Sequence, residues 1–161
     1  MGPYGHRFAP GYTVERGDYQ HLHRDGTDCC RLPGGGGVTS YGTLDYGTQS
    51  ALSTSTLSTS LGGTTVTFQC TPGVAMNMSV DGGQNSASGT RNLKRTSGTQ
   101  LLAYQLYRDA AYSQTLGIGT SVAVSYSDPT AIKLPVYGRV QLSGTLPAGT
   151  YTDVVQVTVT W

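Results

Sequence analysis

Acidic and imidazole side chains are almost missing from most of this chain. Its one glutamate is Glu15, its histidines are His6, His21 and His23, and only 12% of the 161 residues are charged. Every serine beyond residue 23 therefore lacks an obvious general base, and no Gly-x-Ser-x-Gly segment is present, so an enzyme is not expected. The aspartates beyond residue 32, Asp45, Asp81, Asp109, Asp128 and Asp153, fall in settings such as Asp-Gly, Arg-Asp-Ala and Asp-Pro, which read as turn chemistry. A net charge of +1 and a pI near 7.7 supply no field to gather nucleic acid or anionic lipid. No apolar run approaches the roughly 18 residues of a membrane span, so membrane insertion is not expected. Nor is there a charged, apolar and small-residue leader pattern, so an exported protein would here be in a mature or altered form.

Other site patterns fail on spacing. Cys29, Cys30, His21 and His23 are the one candidate zinc set, but vicinal cysteines and His-x-His do not match the usual ligand spacings, and no metal or cofactor is expected. Gly34–Gly37 and Gly117-Ile118-Gly119 lack the endings of phosphate loops and read as turns. Arg16-Gly17-Asp18 spells an integrin-type tripeptide, a match too short to carry weight. Arg91, Lys94 and Arg95 read as a solvated basic turn.

What is abundant points to strands. Glycine numbers 23, Ser and Thr are frequent, and tyrosine outnumbers phenylalanine 11 to 2. Helix formers are scarce, so short strands and turns dominate. The chain is long enough for one core. All histidines and two of the three cysteines lie between Met1 and Leu32, and Pro33–Gly37 reads as a loop dividing that segment from the body. In the body, Thr64–Cys70 and Val74–Val80 alternate with period two, and Leu101–Tyr107 reads as another strand running into a polar turn. Pro135, within Ile132–Val140, cannot donate to a ladder and predicts an edge or bulge. After a turn at Leu146–Gly149, Val155, Val157, Val159 and Trp161 share one face of a final strand. This spacing of strands and turns predicts a sandwich. Burial in the core or an interface is expected for most tyrosines, with a corner-type hydrogen bond at Tyr137 and Tyr151.

Six segments then occur in one order: Tyr41–Gly47, Val66–Cys70, Met78–Gly83, Tyr104–Ala111, Val136–Val140 and Gly149–Trp161. In these the body resembles the spore coat protein U domain, which includes the subunits of archaic chaperone-usher pili. The resemblance implies an all-β, incomplete immunoglobulin-like β-sandwich completed by a donor strand from a neighbouring subunit. A sheet lacking its last strand leaves unpaired backbone groups and an apolar groove, so such a subunit is a poor monomer. Strand addition repairs it, and a head-to-tail contact that does not close yields a fibre.

On this resemblance the implied partners are a periplasmic chaperone, an outer-membrane usher and identical or related pilin subunits forming a homopolymer. The implied location is the periplasm during assembly, then a cell-surface fibre serving adhesion and biofilm formation. Alternatives are a spore or cyst coat protein of the same family and a carbohydrate-binding tip module. Residues 29–161 would be the pilin domain and residues 1–28 an N-terminal extension. Val155, Val157, Val159 and Trp161 would floor the acceptor groove, and Tyr12, Val14 and Leu22, within roughly residues 11 to 28, would belong to the donor strand. That segment alternates weakly, and its charges would be costly in a groove. It reads as a divergent donor strand, a tag or upstream mis-start, or a stretch in a wrong frame. The family's single disulfide implies that Cys70 pairs with Cys30, with Cys29 as the alternative.

Overall fold

Thr/Ser-rich alternation with glycine punctuation favours short strands over helices, and the computed structural model contains no helix among the residues it describes, which are 5–8, 11–16, 30–31, 39–61 and 68–161. The first strands are β1 (Gly5–Phe8), β2 (Gly11–Arg16), β3 (Cys30–Arg31), β4 (Thr39–Thr43) and β5 (Thr48–Ser50). The middle of the chain gives β6 (Thr56–Ser60), β7 (Gln69–Cys70), β8 (Met76–Val80), β9 (Arg91–Arg95) and β10 (Leu101–Tyr107). Last come β11 (Val122–Val124), β12 (Tyr137–Gln141), β13 (Thr150–Thr152) and β14 (Val154–Thr160).

A seven-stranded sheet has the order β5-β1-β13-β9-β10-β12-β6, a five-stranded sheet the order β11-β8-β14-β2-β4, and β3 with β7 forms a two-stranded ribbon. One apolar cluster joins the sheets, taking Leu93, Leu102, Tyr104 and Val140 from the larger and Met76, Met78, Val80, Val155 and Val157 from the smaller. The architecture is an all-β, immunoglobulin-like sandwich.

Strands β8, β10 and β14 fall on strands read from the sequence. Buried Met76, Met78 and Val80 alternate with half-buried residues, and so do the valines of β14. The expected strand over 64–70 is described only from Phe68, whose amide donates to Ile132 O at 2.8 Å while the Ile132 amide returns to Phe68 O at 2.9 Å. Pro135 lies outside any strand: β12 starts two residues later, past the point where a missing N–H would break its ladder.

Two sequence expectations are corrected. Arg91, assigned to a solvated basic turn, is a β9 residue only 5% exposed. Asp153, assigned to turn chemistry, is 2% exposed between β13 and β14. A single-residue reading sees a charge and infers solvent. The fold instead surrounds both with hydrogen-bond partners, which is what makes burial of a polar group tolerable.

Candidate functional site

The last strand pair begins at a corner. Gly149 leads into β13, where the Tyr151 ring is fully buried and its hydroxyl donates to Pro147 O at 2.9 Å. The chain then passes from the larger sheet to the smaller at Asp153. Its Oδ1 accepts from the Asn85 amide at 3.1 Å and from Asn85 Nδ2 at 2.9 Å, and its Oδ2 accepts from the Tyr104 hydroxyl at 2.7 Å. Burial pushes the Asp153 pKa up, against the opposing pull of the bonds from Tyr104 and Asn85. Desolvation, and then the Asp153 charge, push the Tyr104 hydroxyl up as well. Beyond the crossing, Val155, Val157 and Val159 are at most 2% exposed.

The turn Asp81-Gly82-Gly83 fastens this strand. Asp81 Oδ1 accepts from the Gly83 amide at 2.9 Å and from the Gln156 amide at 2.8 Å, while the Asp81 amide donates to Gln156 O at 3.0 Å. Gly83 has φ +78°, and a Cβ there would lie 2.1 Å from Asp153 Oδ2, so conformation and space both require glycine. Arg91 locks the turn from beneath: Nε donates to Asp81 O at 2.7 Å, Nη1 to Leu116 O at 2.7 Å and Nη2 to Val80 O at 2.9 Å. The strand is thus one rigid wall, set in both sheets.

A second wall makes the same crossing. Between β4 in the smaller sheet and β5 in the larger, Leu44 and Tyr46 are buried and Asp45 Oδ1 accepts from the Gly47 amide at 2.8 Å, Gly47 having φ +73°. Tyr46 packs on Gly138 so closely that a Cβ there would meet its hydroxyl oxygen at 2.2 Å. Among the described residues that hydroxyl has no hydrogen-bond partner.

Between the walls lies a slot one strand wide, and the chain's own N-terminal strands occupy it. In the larger sheet β1 pairs parallel with β13 and antiparallel with β5, Arg7 standing opposite Thr150 and Thr48. In the smaller sheet β2 pairs parallel with β14 and antiparallel with β4. Six consecutive partners run from Val154 opposite Gly11 to Val159 opposite Arg16, which sets Tyr12 beside Val155 and Val14 beside Val157. Leu22 lies outside the described residues. Trp161, expected beside the valines, lies past the end of β14 and is 37% exposed. The sequence reading also missed β1, because Gly-His-Arg-Phe has no alternation of its own and becomes a strand only between two walls.

Residues 27–158 match the family model of the Spore Coat Protein U domain. The chain belongs to this family. In fold it is similar to a chain in the crystal structure of the CsuC–CsuE chaperone–tip adhesion subunit pre-assembly complex from archaic chaperone-usher Csu pili of Acinetobacter baumannii. That likeness has a TM-score of 0.51 and 20% sequence identity, over 83% of this chain. The present chain spans 40% of the length of that one. No curated protein sequence matches it.

Five of the six segments by which the sequence resembles the spore coat protein U domain converge on the slot. Tyr41–Gly47 belongs to one wall and Gly149–Trp161 to the other. Met78–Gly83 fastens β14, Tyr104 holds Asp153, and Val136–Val140 supplies the Gly138 on which Tyr46 rests. Val66–Cys70 ends in the ribbon, where Cys70 is disulfide-bonded and Cys30 is its antiparallel register partner. Cys29 lies outside the described residues.

Proposed function

We propose that this spore coat protein U chain is a structural, non-enzymatic subunit of a chaperone-usher surface pilus. Subunits join by strand complementation at the slot between the C-terminal strand and Thr39–Ser50. The observation that carries this reading is the slot itself: a strand-wide gap crossing both sheets and bordered by fully buried valines, whose occupant comes from the extreme N-terminal part of the chain. A backbone ladder with alternate side-chain positions is the chemistry by which one chain adds a strand to another. The similar solved complex pairs a pilus subunit with a chaperone, which supports a periplasmic chaperone as the first partner, followed by an outer-membrane usher and further copies of the chain. Adhesion and biofilm formation follow from placing such a thread on a cell surface, with residues 1–28 as the donating extension and 29–161 as the accepting domain. Cys30 is the partner proposed for Cys70.

Co-production with its cognate chaperone and usher, followed by negative-stain imaging, tests the proposal. Thin surface filaments containing the chain are expected, and a chain lacking residues 1–17 should give none. Filament-free cells despite export of the intact chain would rule the pilus reading out.

A further inference from the structure

Among the described residues the two main sheets end in open edges at β5 and β6 in the larger and at β11 and β4 in the smaller. Three of these edges are blunted in ways that keep sheets from pairing edge to edge. β5 and β11 have three residues each, and the pairing of β4 skips Tyr41, with Gly42 opposite Tyr12 and Ser40 opposite Thr13. β6 has no such device. Its partners run without a break from Ser60 opposite Tyr137 to Thr56 opposite Gln141. The strand holds no proline, and no charged residue occurs from Tyr46 to Val80.

The ladder with β12 fixes which groups this edge offers. The Leu61 amide donates to Val136 O and the Leu142 amide to Ser55 O, both at 3.1 Å. Residues 55, 57, 59 and 61 therefore turn their N–H and C=O groups toward β12, and the alternate positions Thr56, Ser58 and Ser60 turn theirs outward. The side chains of these three are exposed as well. We propose that β6 is a homotypic docking edge: the β6 of a second copy pairs with it antiparallel about a two-fold axis at Ser58, joining two molecules in one continuous sheet. The outward groups match themselves under that axis. Ser58 meets its own copy and Thr56 meets Ser60, each pair exchanging both N–H···O bonds. An uncharged edge offers no counter-charge to an acidic or basic strand and no repulsion to its own copy. Arg139, opposite Ser58 in β12, is kept about 14 Å from its own copy by three strand spacings, beyond a screening length of about 8 Å. The contact is small beside the surface of a stable dimer, so the pair is weak. It is also separate from the slot, since β9, β10 and β12 lie between β13 and β6.

Disulfide trapping tests this on the full chain with Cys29→Ser. Directly opposed residues of this type stand about 5.5 Å apart at Cα, within the roughly 4.4–6.8 Å that a disulfide spans. Under mild oxidation Ser58→Cys should give covalent dimers at least tenfold more than Thr56→Cys alone, Ser60→Cys alone, or Ala123→Cys on the β11 edge. Mixing the Thr56→Cys and Ser60→Cys chains should restore dimers. Ser58→Lys, which opposes two ammonium groups, should weaken self-association at least tenfold by sedimentation equilibrium while leaving the melting temperature unchanged. Dimers no more abundant for Ser58→Cys than for Ala123→Cys, no gain on mixing, or self-association indifferent to Ser58→Lys would overturn the proposal. Threads joined at the slot alone leave the Ser58→Cys thiol unlinked, so failure here is distinct from failure of the pilus reading.

Discussion

Asp153 shows how one side chain joins stability to the slot. It accepts three hydrogen bonds at the point where the C-terminal strand changes sheets. Asp153→Ala leaves the Tyr104 hydroxyl and the Asn85 backbone amide unmet and Asn85 Nδ2 with only the Thr152 carbonyl, which should cost about 2–4 kcal/mol by urea denaturation. Asp153→Asn keeps an acceptor toward Asn85 and a group able to pair with Tyr104, so it should be much milder. Because burial raises the folded pKa, the native state holds this proton more tightly than the unfolded chain does. The contribution is thus most favourable below the ordinary carboxylate pKa of about 3.9 and is lost as pH rises through the raised folded value. Urea midpoints from pH 3 to 7 should show the native protein losing stability relative to Asp153→Asn as pH increases. A constant difference would contradict the assignment.

The contact between Tyr46 and Gly138 gives a second test at this scale. Gly138→Ala forces a methyl against the Tyr46 hydroxyl, with a typical overpacking cost of about 1–3 kcal/mol. Tyr46→Phe removes a buried hydroxyl that has no partner among the described residues. It should therefore be neutral or stabilising by up to about 1 kcal/mol. In a double-mutant cycle, Tyr46→Phe should recover part of the Gly138→Ala loss, and strict additivity would count against the contact.

At the scale of elements, the sequence was legible where local pattern and burial agree. β8, β10 and β14 alternate because one face meets the core, and the three buried valines of β14, Val155, Val157 and Val159, could be named in advance. Trp161 could not be placed by the same rule, since period two continues in the sequence past the point where the strand ends. Arg91 and Asp153 were misread because their partners are mostly backbone carbonyls, an amide and distant side chains, none visible as a spacing motif. β1 was invisible because its neighbours, not its own residues, make it a strand.

The ribbon of β3 and β7 carries the next prediction. Cys70 is disulfide-bonded and stands opposite Cys30. Cys30→Ser should lower stability by about 2–5 kcal/mol, as loss of a native bridge does in small secreted domains, and Cys29→Ser should not. Melting temperatures with and without reductant should differ in the intact protein and in Cys29→Ser but coincide in Cys30→Ser. The reverse pattern would assign the bridge to Cys29.

For the whole molecule, the decisive property is that two walls, each crossing from one sheet to the other, frame a place for a strand that reaches the fold from a distant part of the sequence. A lone sandwich with that place empty would expose two unpaired ladders, so some strand must fill it, and the identity of that strand separates a monomer from a fibre. Trans-complementation measures this most directly. Val14→Asp, in the full chain, sets a carboxylate at the register position beside buried Val157 and should lower the melting temperature by several degrees. Refolding that variant with excess synthetic peptide spanning residues 5–16 should restore the melting temperature, with one peptide bound per chain, whereas the same peptide carrying Val14→Asp should not. A variant as stable as the parent, or one that ignores the native peptide, would contradict a strand-accepting slot.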